Sequence, residues 1–344
     1  MKSLLASAPG KLVLCGEYAV LEGTPAISAA VNRRARVTLR ETSDAAQIVV
    51  TTAGFEAGTY RYRSTGSGLE PACDQAGLPL FESAWAVATI DTGAGLSIEL
   101  DTEAFFLGPK KLGLGSSAAL TVALVHALLT WQGDATRADV SSRLVHDVLQ
   151  QGRGSGVDVA TSISGGLIQF QRERSGTSGG AASDRISVSD IGWPEGLEAA
   201  VLFSGVAAST PMKLKRLDAQ ARRPVSDRLA AAAVAAAAAW QGGAVAAVLA
   251  ATDDFVSSLA DFSATYDLDV FGGGHSALIE LAAKQGLVYK PCGAGGGDVG
   301  VVLGDTADRV AHFTKCAEEN GFKLLDLDLV GSDVEGLTVE WMHD

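Results

Sequence analysis

Gly113-Leu-Gly-Ser-Ser-Ala-Ala119 runs directly into Leu120-Thr-Val-Ala-Leu-Val-His-Ala-Leu-Leu-Thr-Trp131. Glycine lets a backbone approach a ligand closely and adopt positive φ. Successive N–H groups in such a turn form a concave nest for anions. From Ala118 onward the residues are apolar on every side and mostly good helix formers, so the spacing predicts a fully buried helix. The N-terminus of that helix would point at the same anion and add its dipole and unpaired N–H groups. Ser116 or Ser117 is expected to cap it, which leaves the other hydroxyl free for a Mg²⁺ ion.

Two further segments share this composition, Ala8-Pro-Gly-Lys11 near the start and Lys290-Pro-Cys-Gly-Ala-Gly-Gly-Gly-Asp298 near the end. One glycine loop is a weak signal. Three of them, two carrying a lysine, point to a nucleoside triphosphate wrapped by backbone amides. No G-x-x-x-x-G-K-[ST] occurs, so a Walker-type loop is excluded. Gly113 to Ala118 also satisfies G-x-G-x-x-A, with Asp134 at a plausible distance for a ribose. However, Leu107-Gly-Pro-Lys-Lys-Leu112 before it does not read as the buried parallel strand that a dinucleotide unit requires. Gly176-Thr-Ser-Gly-Gly180 matches a nucleophile elbow by chance, inside a polar Gly/Ser run.

A chain of 344 residues suits two domains with ample core. Asp and Glu outnumber Lys and Arg by 40 to 27, and the net charge of −13 argues against nucleic acid or an anionic membrane as partner. An anionic small-molecule substrate must therefore find positive charge gathered locally. Lys11, Lys110, Lys111, Arg153, Lys213, Lys215, Arg216 and Lys290 are the candidates. Cys15, Cys73, Cys292 and Cys316 have no metal spacing and fit a reduced, cytoplasmic setting. The N-terminus lacks the apolar core of a signal peptide. The alanine-rich run from Leu229 to Trp240 reads as a helix of a soluble protein rather than a membrane span. A monomer or homodimer is expected.

Lys11–Val20, Arg36–Arg40 and Gln47–Thr51 read as early strands, with alternation in the latter two, and Leu96–Leu100 reads as an alternating strand. Residues 64–80 read as a loop. Helices are expected over Phe81–Ile90 and about Arg137–Gln151. Gly152-Arg-Gly-Ser-Gly-Val-Asp158 is a fourth glycine loop, leading to Gly165–Phe170. The low-complexity stretch Arg172–Ser189 sets a domain boundary, giving domains 1–180 and 181–344. Beyond it follow a strand at Leu197–Gly205, a helix opened by Ser209–Lys215, and helices to about Leu259 and over His275–Gly286. Val299–Leu303 is a strand, and a helix from Ala307 and a closing pair of strands complete an α+β second half.

At these motifs the chain resembles the GHMP kinase superfamily. Ala8-Pro-Gly-Lys-Leu-Val-Leu-Cys-Gly-Glu-Tyr-Ala-Val20, Gly113–Ala119 and Gly293–Asp298 are similar to its three motifs in order and spacing. The resemblance implies an α+β, two-domain GHMP kinase fold, with a ribosomal-protein-S5-like N-terminal domain and a ferredoxin-like C-terminal one. It also implies ATP and acceptor between them. Gly154-Ser-Gly-Val-Asp-Val-Ala160, with His146 upstream, and Gly205-Val-Ala-Ala-Ser-Thr210 followed by Lys213 resemble segments of the phosphomevalonate kinase family. Glu17-Tyr18 stands where several sister families carry Glu-His. Cys292 replaces a usual serine or threonine, and Gln151 a glycine. Mevalonate kinase is the alternative within the enzyme class, and a catalytically silent sensor of the same fold the alternative outside it.

Phosphoryl transfer depends chiefly on positioning and charge neutralisation. ATP and Mg²⁺ are the expected cofactors. Lys11 would reach the acceptor or the transferring phosphoryl group, against the plainer reading of a surface lysine at a strand start. Ser117 would supply the Mg²⁺ hydroxyl, against a simple helix cap. Asp158 faces the acceptor and Lys11 by resemblance. It would act as a base toward an alcohol or as a positioner toward a phosphate, against a turn-capping role. Lys110, Lys111, Gly113, Leu114, Gly115, Ser116, Ser117 and Ala118 are expected to bind ATP. Lys11, Tyr18, Arg153, Ser155, Gly156, Ser209, Thr210, Lys213, Gly293, Ala294 and Gly295 are expected to bind the acceptor. Asp147 reads as a solvated acid that could serve as a second Mg²⁺ ligand, and His126 as a core or interface histidine.

Overall fold

The computed structural model describes residues 2–44, 47–65, 68–72, 76–88, 90, 95–173, 184–207, 226–329 and 334–342. The first strands are β1 (Ser3–Cys15), β2 (Ala26–Thr42), β3 (Gln47–Ala53), β4 (Gly58–Thr65) and β5 (Gly68–Pro71). Helix α1 (Pro79–Ala88), β6 (Gly95–Asp101) and the two-residue strands β7 (Phe106–Leu107) and β8 (Lys110–Lys111) follow. Three helices come next, α2 (Ser116–Gln132), α3 (Ala138–Leu149) and α4 (Val157–Ser164). Strands β9 (Leu167–Glu173), β10 (Arg185–Asp190) and β11 (Glu198–Phe203) lead to helices α5 (Asp227–Gly242), α6 (Val245–Tyr266) and α7 (His275–Lys284). The chain closes with β12 (Val288–Pro291), β13 (Val299–Gly304), α8 (Ala307–Glu319), β14 (Lys323–Leu325) and β15 (Thr338–Met342).

Two sheets organise these elements. The larger runs β10-β9-β2-β6-β3-β4-β5, with β1 on β2 and β15 on β1. The smaller runs β12-β13-β11-β14, antiparallel throughout. Strand β2 is the spine because its length lets it pair with β1, β6 and β9 at once. Helix α2 is buried from Ala118 to Leu129, in line with its apolar sequence, and packs on β1, β2, α1, α3 and α4. Gly133 closes it in the left-handed conformation, its N–H returning to Leu129 and Thr130. One apolar cluster spans both sheets, from Leu4 and Val37 through Phe203 to Val301. Among the described residues, no helix is long and apolar enough to cross a membrane.

Several expectations change. The strand predicted over Lys11–Val20 starts at Ser3 and ends at Cys15, because Gly16 turns the chain (φ 95°) into a short 3₁₀ turn over Ala19–Glu22. The loop at 64–80 contains β5 and the start of α1. Val157–Ser164 forms a helix that the glycine loop concealed. The single helix to Leu259 is divided by Gly243 in the left-handed conformation. Arg172–Ser189 is not wholly a break, since β9 runs to Glu173 and β10 begins at Arg185. The closing strands do not pair with each other: β14 joins β11, whereas β15 returns to β1. The large sheet thus takes strands from both sides of residue 180.

Candidate active site

Ala8-Pro-Gly-Lys11 lies inside β1 rather than in a loop. The β1–β2 register shifts between Pro9 and Gly10, and such a bulge re-aims the following side chain. A Cβ on Gly10 would come within 2.5 Å of the Leu114 carbonyl oxygen and of the Phe105 ring. Close approach, not positive φ, therefore demands this glycine. The Lys11 N–H donates to Leu114 O at 2.8 Å, joining the first segment to the second. Its side chain then passes Gly115, whose Cβ position lies 3.0 Å from Lys11 Cγ. Lys11 Nζ ends 3.7 Å from the Cβ position of Gly293. All three glycine segments thus meet at one lysine, whose ammonium has no ion-pair partner among the described residues.

The start of α2 differs from the expectation. Gly115 is the N-cap, at φ 80°, and neither Ser116 nor Ser117 caps the helix. Ser116 is buried and Ser117 exposed. No acidic residue occupies the first turn, so the N–H groups of a 17-residue helix open on an uncapped, electropositive end. Gly113 must also be glycine: it sits at φ 76°, and a Cβ would overlap the Asp298 carboxylate. Lys110 and Lys111 lie on the exposed β7–β8 hairpin just before it. Lys110 Nζ donates to Gly205 O at 2.8 Å. Crowding by protein atoms lowers the pKa of the Lys111 ammonium and nearby Lys11 lowers it further, while Asp298 raises it.

The third segment is anchored from below. Lys290, read as a phosphate ligand, instead is fully buried and pairs with Glu17 (Nζ–Oε1 2.5 Å) while donating to Val13 O at 3.2 Å. Its side chain points into the contact between the sheets because β12 orients it there. Glu17 Oε1 also accepts the Gly293 N–H at 3.3 Å. Tyr18, at φ 62°, donates its hydroxyl to Ala294 O at 2.7 Å. It is buried against Phe262, and burial pushes its pKa well up. Tyr18 therefore supports the loop rather than facing open space. Gly295, at φ 67°, packs so closely on Val270 that a Cβ would meet the valine side chain at 2.6 Å.

Asp158 stands in the first turn of α4, where Gly156 is the N-cap at φ 85°. Its side chain is 19 % exposed and meets buried His146, Nε2–Oδ2 3.7 Å. Lys11 is not its partner among the described residues. Ser155 Oγ accepts the Val157 N–H at 3.3 Å, and Arg153 donates to Gln151 Oε1 at 2.7 Å. Ser209, Thr210 and Lys213 lie outside the described residues, as do Lys215 and Arg216. Asp147 is neither solvated nor open to a metal, because Arg172 pairs with it (Nη2–Oδ2 2.9 Å) and with Asp184 (Nε–Oδ2 2.8 Å). His126 Nε2 lies 3.2 Å from Asp139 Oδ1, and this interaction lowers the Asp139 pKa.

Sequence reasoning gave Asp298 no role of its own. Its signal was the non-glycine residue closing a run of three glycines, a position that takes up φ 53°. Nothing in the sequence marked His275, which hydrogen-bonds the third loop from across the fold.

Residues 80–166 match the GHMP kinases N terminal domain. The chain is thus similar to the GHMP kinases over that stretch, and its mixed α/β architecture, with one large and one small sheet, is the GHMP kinase fold. It is similar to the phosphomevalonate kinase of Streptomyces sp. (strain CL190), 28 % identical over 352 residues that cover 88 % of this chain and 90 % of that one. A mevalonate kinase of Aeropyrum pernix is 34 % identical over 170 residues, 48 % of this chain and 50 % of the relative. Among solved structures, Streptococcus pneumoniae phosphomevalonate kinase in complex with phosphomevalonate and AMPPNP superposes with TM-score 0.76. There the identity is 18 %, with 95 % of this chain and 99 % of that one covered.

Proposed function

We propose that the chain transfers the terminal phosphoryl group of ATP to the phosphate of 5-phosphomevalonate, releasing 5-diphosphomevalonate and ADP. One observation carries the reading: Lys11 lies where the three glycine segments converge, beside the uncapped start of α2. In this reading the nest from Gly113 to Ala118 and the α2 N-terminus hold the triphosphate, with Lys110 and Lys111 adding charge. The exposed Ser117 hydroxyl, at the open start of α2, would hold a Mg²⁺ ion. When bound, such an ion would supply positive charge that neutralises the transferring phosphates. Lys11 stabilises charge on the phosphoryl group in flight. The acceptor phosphate has a second pKa near ~6 and is already a nucleophile at neutral pH. Asp158, steadied by His146, then positions rather than deprotonates. Arg153, Ser155, Gly156, Ser209, Thr210, Lys213 and Gly293–Gly295 are proposed to bind the acceptor, and Tyr18 to act through Ala294.

The likeness to a phosphomevalonate kinase over nine-tenths of both chains supports this acceptor. The higher identity of the mevalonate kinase, confined to about half of each chain, favours mevalonate as the second reading. Coupled assay of ADP release with each acceptor decides between them. Turnover is expected on phosphomevalonate. Strong turnover on mevalonate with none on its phosphate overturns the proposal, and tight ATP binding with no turnover on either revives the silent sensor.

A further inference from the structure

The chain from Asp267 to His275 lies against the third glycine loop. Val270 O accepts the Gly296 N–H at 2.6 Å, and the Cβ position of Gly273 is 3.2 Å from Gly297 Cα. His275 opens α7 with no exposed surface. Its ring stacks on Tyr289 at 5.8 Å and meets Phe322 edge-on at 5.5 Å. Both ring nitrogens are engaged: Nδ1 lies 2.9 Å from the Tyr289 hydroxyl and Nε2 lies 3.0 Å from Gly297 O. A carbonyl only accepts, so Nε2 carries the hydrogen and Nδ1 accepts from the phenol. Burial pushes the Tyr289 pKa well up and keeps that phenol protonated.

Gly297 O belongs to the peptide that links Gly297 to Asp298. Beyond that peptide, Asp298 is held at φ 53° and its carboxylate fills the space beside Gly113. The Asp298 N–H donates to Val206 O at 2.7 Å, and its carbonyl accepts from Ser204 N at 2.9 Å. The Gly297–Asp298 peptide therefore lies between the His275 contact and the carboxylate beside Gly113.

We propose that His275 is a positioning residue for phosphoryl transfer, its Nε2–H fixing the Gly297 carbonyl and so setting Asp298 against Gly113. This rests on the reading of Gly113–Ala119 as the nucleotide loop. The test compares Tyr289→Phe, His275→Phe/Tyr289→Phe and His275→Gln with the wild-type chain. The double variant keeps the aromatic stack and leaves no orphan phenol, so chiefly the Gly297 carbonyl loses its donor. Each protein is measured for its thermal midpoint, for its affinity toward a non-hydrolysable ATP analogue with Mg²⁺, and for kcat and both KM values. The double variant is expected to bind the analogue at least ~10-fold more weakly, or about 1.4 kcal/mol, at a midpoint close to that of Tyr289→Phe. Its KM for ATP should rise more than that for the acceptor, and His275→Gln should recover most of the loss. Unchanged analogue affinity in the folded double variant overturns the proposal. If that variant does not fold, His275→Gln and the shorter His275→Asn replace it; equal affinities overturn the idea and a ~10-fold advantage for Gln supports it. A wild-type chain that binds the analogue but turns over no acceptor fails the proposed function alone. One that binds no nucleotide fails both.

Discussion

Ser117 offers an exposed hydroxyl at a helix start that Gly115, not serine, caps. Ser117→Ala should therefore leave the thermal midpoint nearly unchanged while lowering kcat at limiting Mg²⁺. A tenfold loss would equal about 1.4 kcal/mol of transition-state stabilisation, and unchanged kinetics would remove the hydroxyl from the site. Asp158 is paired with His146 rather than with Lys11, so its substitution tests orientation more than charge. A general base contributes ~10²–10⁴-fold. If the acceptor is a phosphate, Asp158→Asn should lower kcat while its acidic limb still follows the substrate's own ionisation. Loss of that limb in the variant would identify a true base and an alcohol acceptor. The buried thiols give a third expectation. Burial raises the pKa of Cys15 to about 12 and that of Cys292 to about 11, from an ordinary 9.0. Because the folded values are raised, the thiols favour folding below pH 9 and lose that contribution as the pH climbs toward 11–12. At pH 8 iodoacetamide should label the partly exposed Cys316 and spare Cys15 and Cys292, as read by peptide mass spectrometry.

At the scale of elements, the junction between β1 and β12 carries the most consequence. Lys290 and Glu17 are both buried and bind each other, and Glu17 also holds Gly293. Removing one partner of such a pair leaves an uncompensated buried charge, typically at a cost of about 3–5 kcal/mol. Lys290→Met should lose about that much in urea unfolding, and Lys290→Met/Glu17→Leu should recover much of the stability. The double variant should nevertheless stay catalytically impaired, because Gly293 has lost its acceptor. Full activity in it would make the pair purely structural. Helix α2 was legible because thirteen of its residues are buried and its apolar composition needs no partner to be recognised. Helix α4 was not, since Ser155-Gly156 masks its start and its eight residues are too few to show a helical period.

Across the whole molecule, β15 shows how far the ends cooperate. It pairs with β1 from Ser3↔Met342 to Ser7↔Thr338, immediately before the strand bulge that aims Lys11. Ending the chain before Thr338 should uncover that edge and lower the thermal midpoint by several degrees, with kcat falling alongside. An unchanged midpoint and rate would make β15 dispensable. The residues themselves determined the three glycine segments, the buried helix, the lysine in the first segment and the α+β class. Each of these rests on local composition and spacing, which a linear reading preserves. Tertiary structure alone decided that Ala8–Lys11 is a bulged strand, that Lys290 serves Glu17 instead of a ligand, and that Asp158 pairs with His146. It also decided that β14 and β15 part company and that His275 reaches the third loop. The physical reason is common to all of these. Which way a side chain points, and which distant carbonyl or carboxylate it meets, depends on strand register and helix packing between residues up to hundreds of positions apart.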